Sequence, residues 1–238
     1  MSRPYAQLGI IVAAGGSSSR FGKDNKLLQD LQGLPLFCHC LRNIFSTGIP
    51  EASLLVVPEG SQSNFQRLLH ANLPLQASQI QVIAGGATRT ASVLAGLQAL
   101  PESCCYVAIL DAARPLSSSD LLLRCLASAR EFGSGVAAHR LTDTIKQADA
   151  DGKVLCTLDR NTLWATETPQ VFQRDLLQKA YRHSQLAERT FTDDAQLLEE
   201  AGFPIHLSEN LNPNPKITFH KDLQIMTGNF PDTFIPES

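Results

Sequence analysis

The sequence predicts an α/β fold, an open and mostly parallel twisted sheet with helices on both faces. In the first half of the chain, short apolar runs alternate with stretches of helical length. Such alternation is typical of right-handed strand–helix–strand crossovers, which cover both faces of a parallel sheet. The 238 residues are 43% hydrophobic and 18% charged, as in globular proteins rather than disordered or fibrous chains. The chain therefore has enough apolar residues to form a buried core.

The predicted elements of the first half follow one another as strand and helix. Each strand is an apolar run and each helix has helix-compatible spacing, with Thr88 and Ser118 as N-cap residues. The strands are predicted at 8–14, 53–57, 80–84 and 106–110, and the helices at 35–45, 61–72, 88–100 and 118–132. Ligands of such sheets bind beyond the carboxyl ends of the strands, so the loops after these strands are the candidate functional loops.

The second half of the chain begins with a hairpin signal. Residues 142–160 contain two extended segments around an Asp151-Gly152 turn, and a hairpin with so little core either lies on the sheet or reaches a partner. Later elements are predicted as helices at 174–188 and 193–201, a strand at 205–208 and a last helix from about His220. We expect one domain over residues 1–238, with 142–160 as an inserted β-arm.

The charge balance argues against a surface that binds nucleic acid. The chain has 20 Lys and Arg against 23 Asp and Glu, a formal charge of -3, whereas nucleic-acid binding needs a basic face. No apolar run approaches the roughly 20 residues of a membrane span, and the first residues lack the pattern of a signal peptide. We therefore expect a cytoplasmic protein without nucleic-acid or membrane partners.

The cysteines and histidines form no recognisable metal or nucleophile motif. No cysteine pair has C-x-x-C spacing and no histidine pair has H-x-x-x-H spacing. Reduced, buried thiols are the favoured interpretation of the cysteines. The residues concerned are Cys38, Cys40, Cys104, Cys105, Cys125 and Cys156, and His39, His70, His139, His183, His206 and His220.

The first candidate functional loop is rich in glycine and serine. The predicted strand at 8–14 leads into the string AAGGSSSRFG at residues 13–22, which is followed by Lys26. Small residues let backbone N–H groups approach an anion closely, and Arg20 and Lys26 supply positive charge. The loop matches neither G-x-G-x-x-G nor G-x-x-x-x-G-K-[ST], so those two modes of nucleotide binding are disfavoured.

Five strings in order along the chain resemble one enzyme family. After the glycine loop come GGATRTASVLAGL at 85–97, DAARP at 111–115, TDD at 192–194 and PKIT at 215–218. Together they resemble the 2-C-methyl-D-erythritol 4-phosphate cytidylyltransferases of the non-mevalonate isoprenoid pathway. The resemblance spans residues 8 to about 225. It implies a Rossmann-like fold whose β-arm interlocks two subunits into a homodimer.

The resemblance implies a CTP-dependent nucleotidyltransferase. Its reaction transfers CMP from CTP to the 4-phosphate of methylerythritol phosphate, giving 4-diphosphocytidyl-2-C-methyl-D-erythritol and pyrophosphate. Because an anion attacks an anion, this reaction needs fixed positive charge and no covalent nucleophile. By the resemblance, the catalytic residues are Arg20, Lys26, Arg160 and Lys216.

The resemblance also implies binding residues. The nucleotide-binding residues are Ala13, Ala14, Gly15, Gly86, Arg89, Ser92 and Ala112. The residues that bind the polyol phosphate are Asp111, Arg114, Thr144, Arg160, Thr168, Thr192 and Lys216. Of these, Thr144 and Arg160 lie on the hairpin and are expected to reach the site across the dimer interface. Arg89 and Ser92 are one turn apart on a helix and are both expected at the mouth of the site.

Mg²⁺ is the expected cofactor and CTP the expected co-substrate. Mg²⁺ takes oxygen ligands and keeps several waters, so one nearby carboxylate can suffice. Asp111 ends a predicted strand, where carboxylates of α/β sheets meet ligands or metals. Metal ligation and contact with the polyol hydroxyls are both open for Asp111, and we favour substrate contact.

Three alternative functions compete with this one. They are a cytidylyltransferase for another polyol phosphate such as ribitol 5-phosphate, a molybdopterin-type nucleotidyltransferase with a similar first loop, and a nucleotide-binding module without catalysis. Arg114 suits a small phosphorylated substrate and disfavours the second, whereas the intact charged set disfavours the third. The chain departs from the family pattern at Asn25, Leu27 and Leu110, and none of these departures removes a charge that the reaction needs.

Overall fold

The computed structural model describes residues 7–15, 21, 25–48, 50–183 and 191–229. The elements of the first half are β1 (Leu8–Ala13), β2 (Asp30–Leu31), β3 (Leu34–Pro35), α1 (Leu36–Ile44), β4 (Ala52–Val57), α2 (Gln62–Asn72), α3 (Pro74–Ala77), β5 (Gln81–Ala84), α4 (Arg89–Ala99), β6 (Tyr106–Asp111) and α5 (Ser119–Phe132). Those that follow are β7 (Ser134–Arg140), β8 (Lys146–Ala148), β9 (Val154–Thr157), β10 (Trp164–Gln173), α6 (Arg174–Arg182), α7 (Asp194–Glu200), β11 (Leu207–Glu209) and α8 (His220–Asn229).

Seven strands form the central sheet, in the order β11-β7-β10-β6-β1-β4-β5. Strands β6, β1, β4 and β5 are parallel neighbours, β10 is antiparallel to both β6 and β7, and β11 is parallel to β7. The prediction of a mostly parallel α/β sheet is confirmed. Thr88 and Ser118 cap α4 and α5 as predicted, because their hydroxyls accept hydrogen bonds from the N–H groups of Ala91 and Leu121.

Two strands inside the sheet, β7 and β10, are not predicted by the sequence patterns. β7 begins with small residues, Ser134-Gly135, which give a weak apolar signal. β10 contains Pro169, which cannot donate a hydrogen bond to a neighbouring strand. The pairing of β10 with β7 shifts between Thr166 and Gln170, so the proline lies in an irregular stretch of the ladder. Among the helices, α6 ends at Arg182, before the predicted end at 188, and residues 184–190 lie outside the described part.

The sheet is buried on both faces because successive side chains of its strands point to opposite sides. Ile10 of β1 belongs to a core formed with α1, α2, α5 and α8. Ile11, the next residue, belongs to a second core formed with α4, α6 and α7. Both side chains are fully buried. Helices therefore cover the sheet on both faces.

The predicted hairpin is present and projects from the sheet. Strands β8 and β9 pair only with each other, and every residue of both strands is exposed. Gly152 in the turn has a φ of 83°, a left-handed value that glycine adopts without strain. We expected the hairpin either to lie on the sheet or to reach a partner. Because its strands do not pair with the central sheet and are exposed, the first alternative does not hold.

Among the described residues, no helix combines the length and the apolar character needed to cross a membrane. The six cysteines are all free thiols. Burial raises the pKa of Cys38, Cys40 and Cys125 to about 12 and that of Cys104 to about 11. The expectation of buried thiols holds for these four, whereas Cys105 and Cys156 are exposed.

We therefore predict a strong contrast in thiol reactivity. At neutral pH, an aromatic disulfide reagent reacts rapidly with Cys105 in the native protein and slowly with the four buried thiols, because the thiolate is the reactive form. Mass spectrometry of the labelled peptides measures each rate. All six thiols react in denaturant, which is the control. Rapid native labelling of Cys38 or Cys125 would contradict the packing described here.

Candidate active site

Three loops meet at the carboxyl edge of the sheet, after β1, β5 and β6. Ala13 of β1 lies directly beside Asp111 of β6. Beyond the strands, the N–H of Ala14 donates to the carbonyl of Val56 at 2.8 Å, and the N–H of Ala112 donates to that of Ala13 at 3.1 Å. These bonds continue the strand ladder into the loops. Ala13, Ala14 and Ala112, which we predicted at the nucleotide site, are therefore held on adjacent, rigid stretches of backbone.

Ser92 links two of the three loops from behind. Its hydroxyl accepts a hydrogen bond from the N–H of Gly86 at 3.2 Å and lies 2.9 Å from the carbonyl of Thr88. A Cβ added to Gly15 would lie 2.9 Å from Ser92 Oγ, and one added to Gly85 only 2.5 Å away. We expected Ser92 at the mouth of the site, but its side chain is buried, with only 1% of its surface exposed. Its contact with a nucleotide would run through the backbone of Gly86.

The carboxylate of Asp111 is surrounded by positive charge. Lys216 Nζ lies 2.8 Å from Oδ2, Arg89 Nε 3.4 Å from Oδ1 and Arg114 Nε 3.7 Å from Oδ2. Burial alone would raise the pKa of Asp111, but Lys216, Arg89 and Arg114 outweigh burial and hold that pKa far below its usual range. Asp111 is therefore an ionised acceptor at any physiological pH. Four residues that we predicted at the site from three separate strings are thus brought together.

Arg89 also pairs with a second buried carboxylate, that of Asp194. Arg89 Nη1 lies 2.7 Å from Asp194 Oδ2, and the Asp194 side chain is 2% exposed. Burial would lower the pKa of Arg89, but Asp194 and Asp111 outweigh it and raise that pKa. From the sequence, the Asp193-Asp194 pair could either contribute to the site or cap the helix that follows it. Asp193 is the N-cap of α7, and Asp194 contacts the charged cluster.

Thr168 contacts the backbone of Asp111, whereas the hydroxyl of Thr192 faces Gln196. The Thr168 hydroxyl accepts a hydrogen bond from the N–H of Asp111 at 2.9 Å, and Thr168 is 3% exposed. Thr192 is exposed, and its hydroxyl lies 3.0 Å from Oε1 of Gln196. The buried Thr168 thus fixes the end of β6. Thr192 lies at the surface.

The loop that carries Lys216 is anchored by the predicted residue Arg114 and by three residues that sequence reasoning missed, Glu167, Asn210 and Asn214. Arg114 Nη1 donates to the carbonyl of Asn214 at 2.6 Å. The side-chain amides of Asn214 and Asn210 each donate to Oε2 of Glu167 at 2.9 Å. Glu167 is 4% exposed, so this carboxylate is a buried anchor. Residues 210–215 are rich in Asn and Pro, which marks them as a loop but does not indicate their pairing with Glu167.

Lys26 contacts the segment that follows Lys216. Its Nζ donates to the carbonyl of Ile217 at 2.9 Å. Asn25, one of the departures from the family pattern, caps the short 3-10 turn Lys26–Leu28 by accepting from the N–H of Leu27. The ring of Phe21 stacks on His220 at the start of α8, with centroids 3.9 Å apart. Arg20, the other predicted catalytic cation of this loop, lies outside the described residues.

The described contacts do not connect the two predicted site residues of the hairpin region to the cluster around Asp111. Arg160 is exposed and donates to the carbonyl of Thr142. Thr144 is exposed as well. No hydrogen bond or ion pair joins either residue to Asp111 or Lys216 within the described part of the chain.

The described residues do not fit a dedicated magnesium site. Among them, no three His, Cys, Asp or Glu side chains are grouped so as to hold a metal. Asp111 already pairs with three cations, which compete with a metal for its oxygens. The geometry therefore favours substrate contact over metal ligation for Asp111.

Comparison with known proteins identifies one family. The family model of 2-C-methyl-D-erythritol 4-phosphate cytidylyltransferase matches residues 8–228. The chain is 38% identical to the 2-C-methyl-D-erythritol 4-phosphate cytidylyltransferase of Microcystis aeruginosa, over 91% of this chain and 95% of that protein. It is 36% identical to a bifunctional enzyme IspD/IspF of Desulfotalea psychrophila, over 93% of this chain but only 56% of that longer protein. The crystal structure of the Thermus thermophilus 2-C-methyl-D-erythritol 4-phosphate cytidylyltransferase has 25% identity and a TM-score of 0.74, covering 92% and 97% of the two chains.

The packing of Ser92 against Gly15 predicts a coupled pair of mutations. Gly15→Ala should lower the free energy of unfolding by about 1–3 kcal/mol, because its methyl group meets Ser92 Oγ. With Ser92→Ala added, the nearest side-chain atom is Ser92 Cβ at 3.6 Å, an ordinary contact. The double variant should therefore be more stable than the sum of the single effects by about 1 kcal/mol.

Urea denaturation of the four proteins measures this coupling. Ser78→Ala, at an exposed serine after α3, is the matched control and should add to Gly15→Ala without coupling. Strictly additive effects of Gly15→Ala and Ser92→Ala would contradict the contact.

Proposed function

Since the chain belongs to the 2-C-methyl-D-erythritol 4-phosphate cytidylyltransferase family, we propose that the site around Asp111 transfers CMP from CTP to methylerythritol phosphate. The family makes the chain a CTP-dependent nucleotidyltransferase of isoprenoid precursor biosynthesis. The products are 4-diphosphocytidyl-2-C-methyl-D-erythritol and pyrophosphate. The observation that carries the residue assignments is the convergence of Lys26 and Lys216 on one segment of chain beside Asp111.

Fixed positive charge is the main requirement of this reaction. A phosphate oxygen of the polyol attacks the α-phosphate of CTP, and negative charge accumulates on the phosphate oxygens and on the leaving pyrophosphate. Lys26 contacts the backbone of Ile217, and Lys216 is the preceding residue, so their ammonium groups serve one region of the site. Preorganised cations stabilise the transition state without reorganisation at the moment of reaction. We propose Arg20, in the same loop as Lys26, as a third cation of this set.

Asp111 has a different part in the proposed site. It is ionised and buried, and a carboxylate accepts hydrogen bonds from hydroxyl groups. We propose that it orients the hydroxyls of methylerythritol phosphate, while Arg114 and Lys216 stay close enough to bind the phosphate of the same molecule. Backbone groups of Ala14, Gly15 and Gly86 hold the nucleotide on the other side.

A homodimer is proposed from the exposed hairpin. Val154 and Leu155 on β9 are 53% and 59% exposed, and a two-stranded hairpin is marginally stable alone. Contact with a second copy of the chain would bury these side chains. It would also bring Thr144 and Arg160 of one subunit to the polyol phosphate in the other. We further propose a cytoplasmic location, and Mg²⁺ that is bound through the phosphate oxygens of CTP, with no protein ligand assigned.

We predict that the purified protein releases pyrophosphate when mixed with CTP, Mg²⁺ and methylerythritol phosphate. Ribitol 5-phosphate in place of methylerythritol phosphate tests the alternative substrate. A coupled assay that converts the released pyrophosphate to phosphate measures the turnover. Turnover of ribitol 5-phosphate with none of methylerythritol phosphate would overturn the proposed substrate.

In the same assay, Lys26→Ala should lower kcat roughly 100-fold to 1000-fold, because it removes a fixed cation from the transition state. Lys179→Ala removes an equal charge from the exposed side of α6 and should leave the rate unchanged. Circular dichroism verifies that both variants are folded. A fully active Lys26→Ala variant would refute the catalytic role.

The proposed dimer predicts the effect of charge on the hairpin. Val154→Asp with Leu155→Asp should give an inactive monomer, because two charges replace the apolar contact and the partner's hairpin no longer completes the site. Light scattering measures the mass and the pyrophosphate assay the activity. Leu75→Asp, at an 78% exposed leucine of α3, is the matched control and should leave the dimer intact. A fully active monomer would contradict the role of the hairpin.

A further inference from the structure

The guanidinium of Arg89 lies between two buried carboxylates that come from different parts of the chain. Its Nε faces Asp111 at 3.4 Å and its Nη1 faces Asp194 at 2.7 Å. The side chains of Arg89, Asp111 and Asp194 are 22%, 10% and 2% exposed. Arginine suits this position because its donors are fixed in one plane and serve two acceptors at once.

Asp194 is not needed as the cap of its own helix. Asp193 caps α7, since its Oδ1 accepts from the N–H of Gln196 at 2.9 Å. The carboxylate of Asp194 leaves the helix and crosses to Arg89 at the start of α4. The N–H groups of Asp194 and Ala195 both donate to Oε1 of Gln170 on β10, at 3.2 and 3.1 Å. The start of α7 is thereby fixed to the central sheet.

This arrangement decides where Arg89 can point. Without Asp194, the guanidinium has one carboxylate partner left, and a bidentate pair with Asp111 becomes its best geometry. That pair would occupy both oxygens of Asp111 and compete with Lys216, which lies 2.8 Å from Oδ2. With Asp194 present, the stronger and shorter contact of Arg89 is directed away from Asp111.

We propose that Asp194 is a positioning residue, which holds Arg89 so that only Nε faces Asp111 and one carboxylate edge stays available for Lys216 and the substrate. Asp194 acts through Arg89 and does not touch the substrate. The proposal rests on the proposed function, because it concerns how Asp111 meets the polyol phosphate.

A double-mutant cycle on Asp194 and Arg89 tests the proposal. Asp194→Asn should raise the KM for methylerythritol phosphate roughly tenfold and raise the KM for CTP less, because Arg89 contacts Asp111 directly although it is also expected near the nucleotide. In an Arg89→Met background, Asp194→Asn should have no further effect on the KM, because the residue through which it acts is gone. A merely structural role would reduce the active fraction, and therefore kcat, without this selective change in KM.

Two further variants keep the test decisive. Arg89→Met alone leaves a buried carboxylate unpaired, and if it does not fold, Arg89→Lys replaces it, since one ammonium cannot face both carboxylates in the same way. Glu199→Gln is the matched control: it removes a carboxylate charge from the exposed side of the same helix, so the KM for methylerythritol phosphate should stay unchanged.

The outcomes separate the two proposals. Additive effects of Asp194→Asn and Arg89→Met on the KM, in an active wild-type enzyme, would overturn the positioning role alone. An unchanged KM in Asp194→Asn would do the same. A wild-type protein without turnover of methylerythritol phosphate would overturn the proposed function, and the positioning role with it.

Discussion

The carboxylate of Asp111, held among Lys216, Arg89 and Arg114, is the interaction on which the site depends. A buried charge of one sign is costly, and it persists here because opposite charges surround it. Each of the three cations comes from a different segment of chain. The single carboxylate therefore ties the end of β6 to the start of α4 and to the loop before α8, and the fold and the site are assembled by the same contacts.

The sequence predicts those parts of the fold that local patterns control. Apolar runs place β1, β4, β5 and β6, and the hydroxyls of Thr88 and Ser118 mark the starts of two helices, because strand burial and helix capping are local effects. The position of β10 depends instead on long-range pairing with β6 and β7. That pairing tolerates Pro169 in a bulge, which overrides the local preference against proline in a strand.

The same division applies to the candidate site. Charged residues within recognisable strings, such as Lys26, Asp111 and Lys216, are found from the sequence because the resemblance to a family marks them. Glu167 lies in none of these strings, and Asp194 lies in one of them without an assigned role, since a buried carboxylate acquires its role only when distant residues fold against it. Likewise, the burial of Ser92 follows from how α4 packs under two loops, and helix periodicity alone does not reveal which side that is.

The direct pairing of Ala13 with Asp111 has one more consequence. In the proposed site the nucleotide loop follows β1 and the carboxylate that would orient the polyol ends β6, so the two substrates would meet across adjacent strands, about 4.8 Å apart. The pairing of β1 with β6 sets this spacing, and the loops do not alter it. In the proposed site, changes in the loops would therefore alter the groups that contact each substrate, while the spacing of the two strands stays the same.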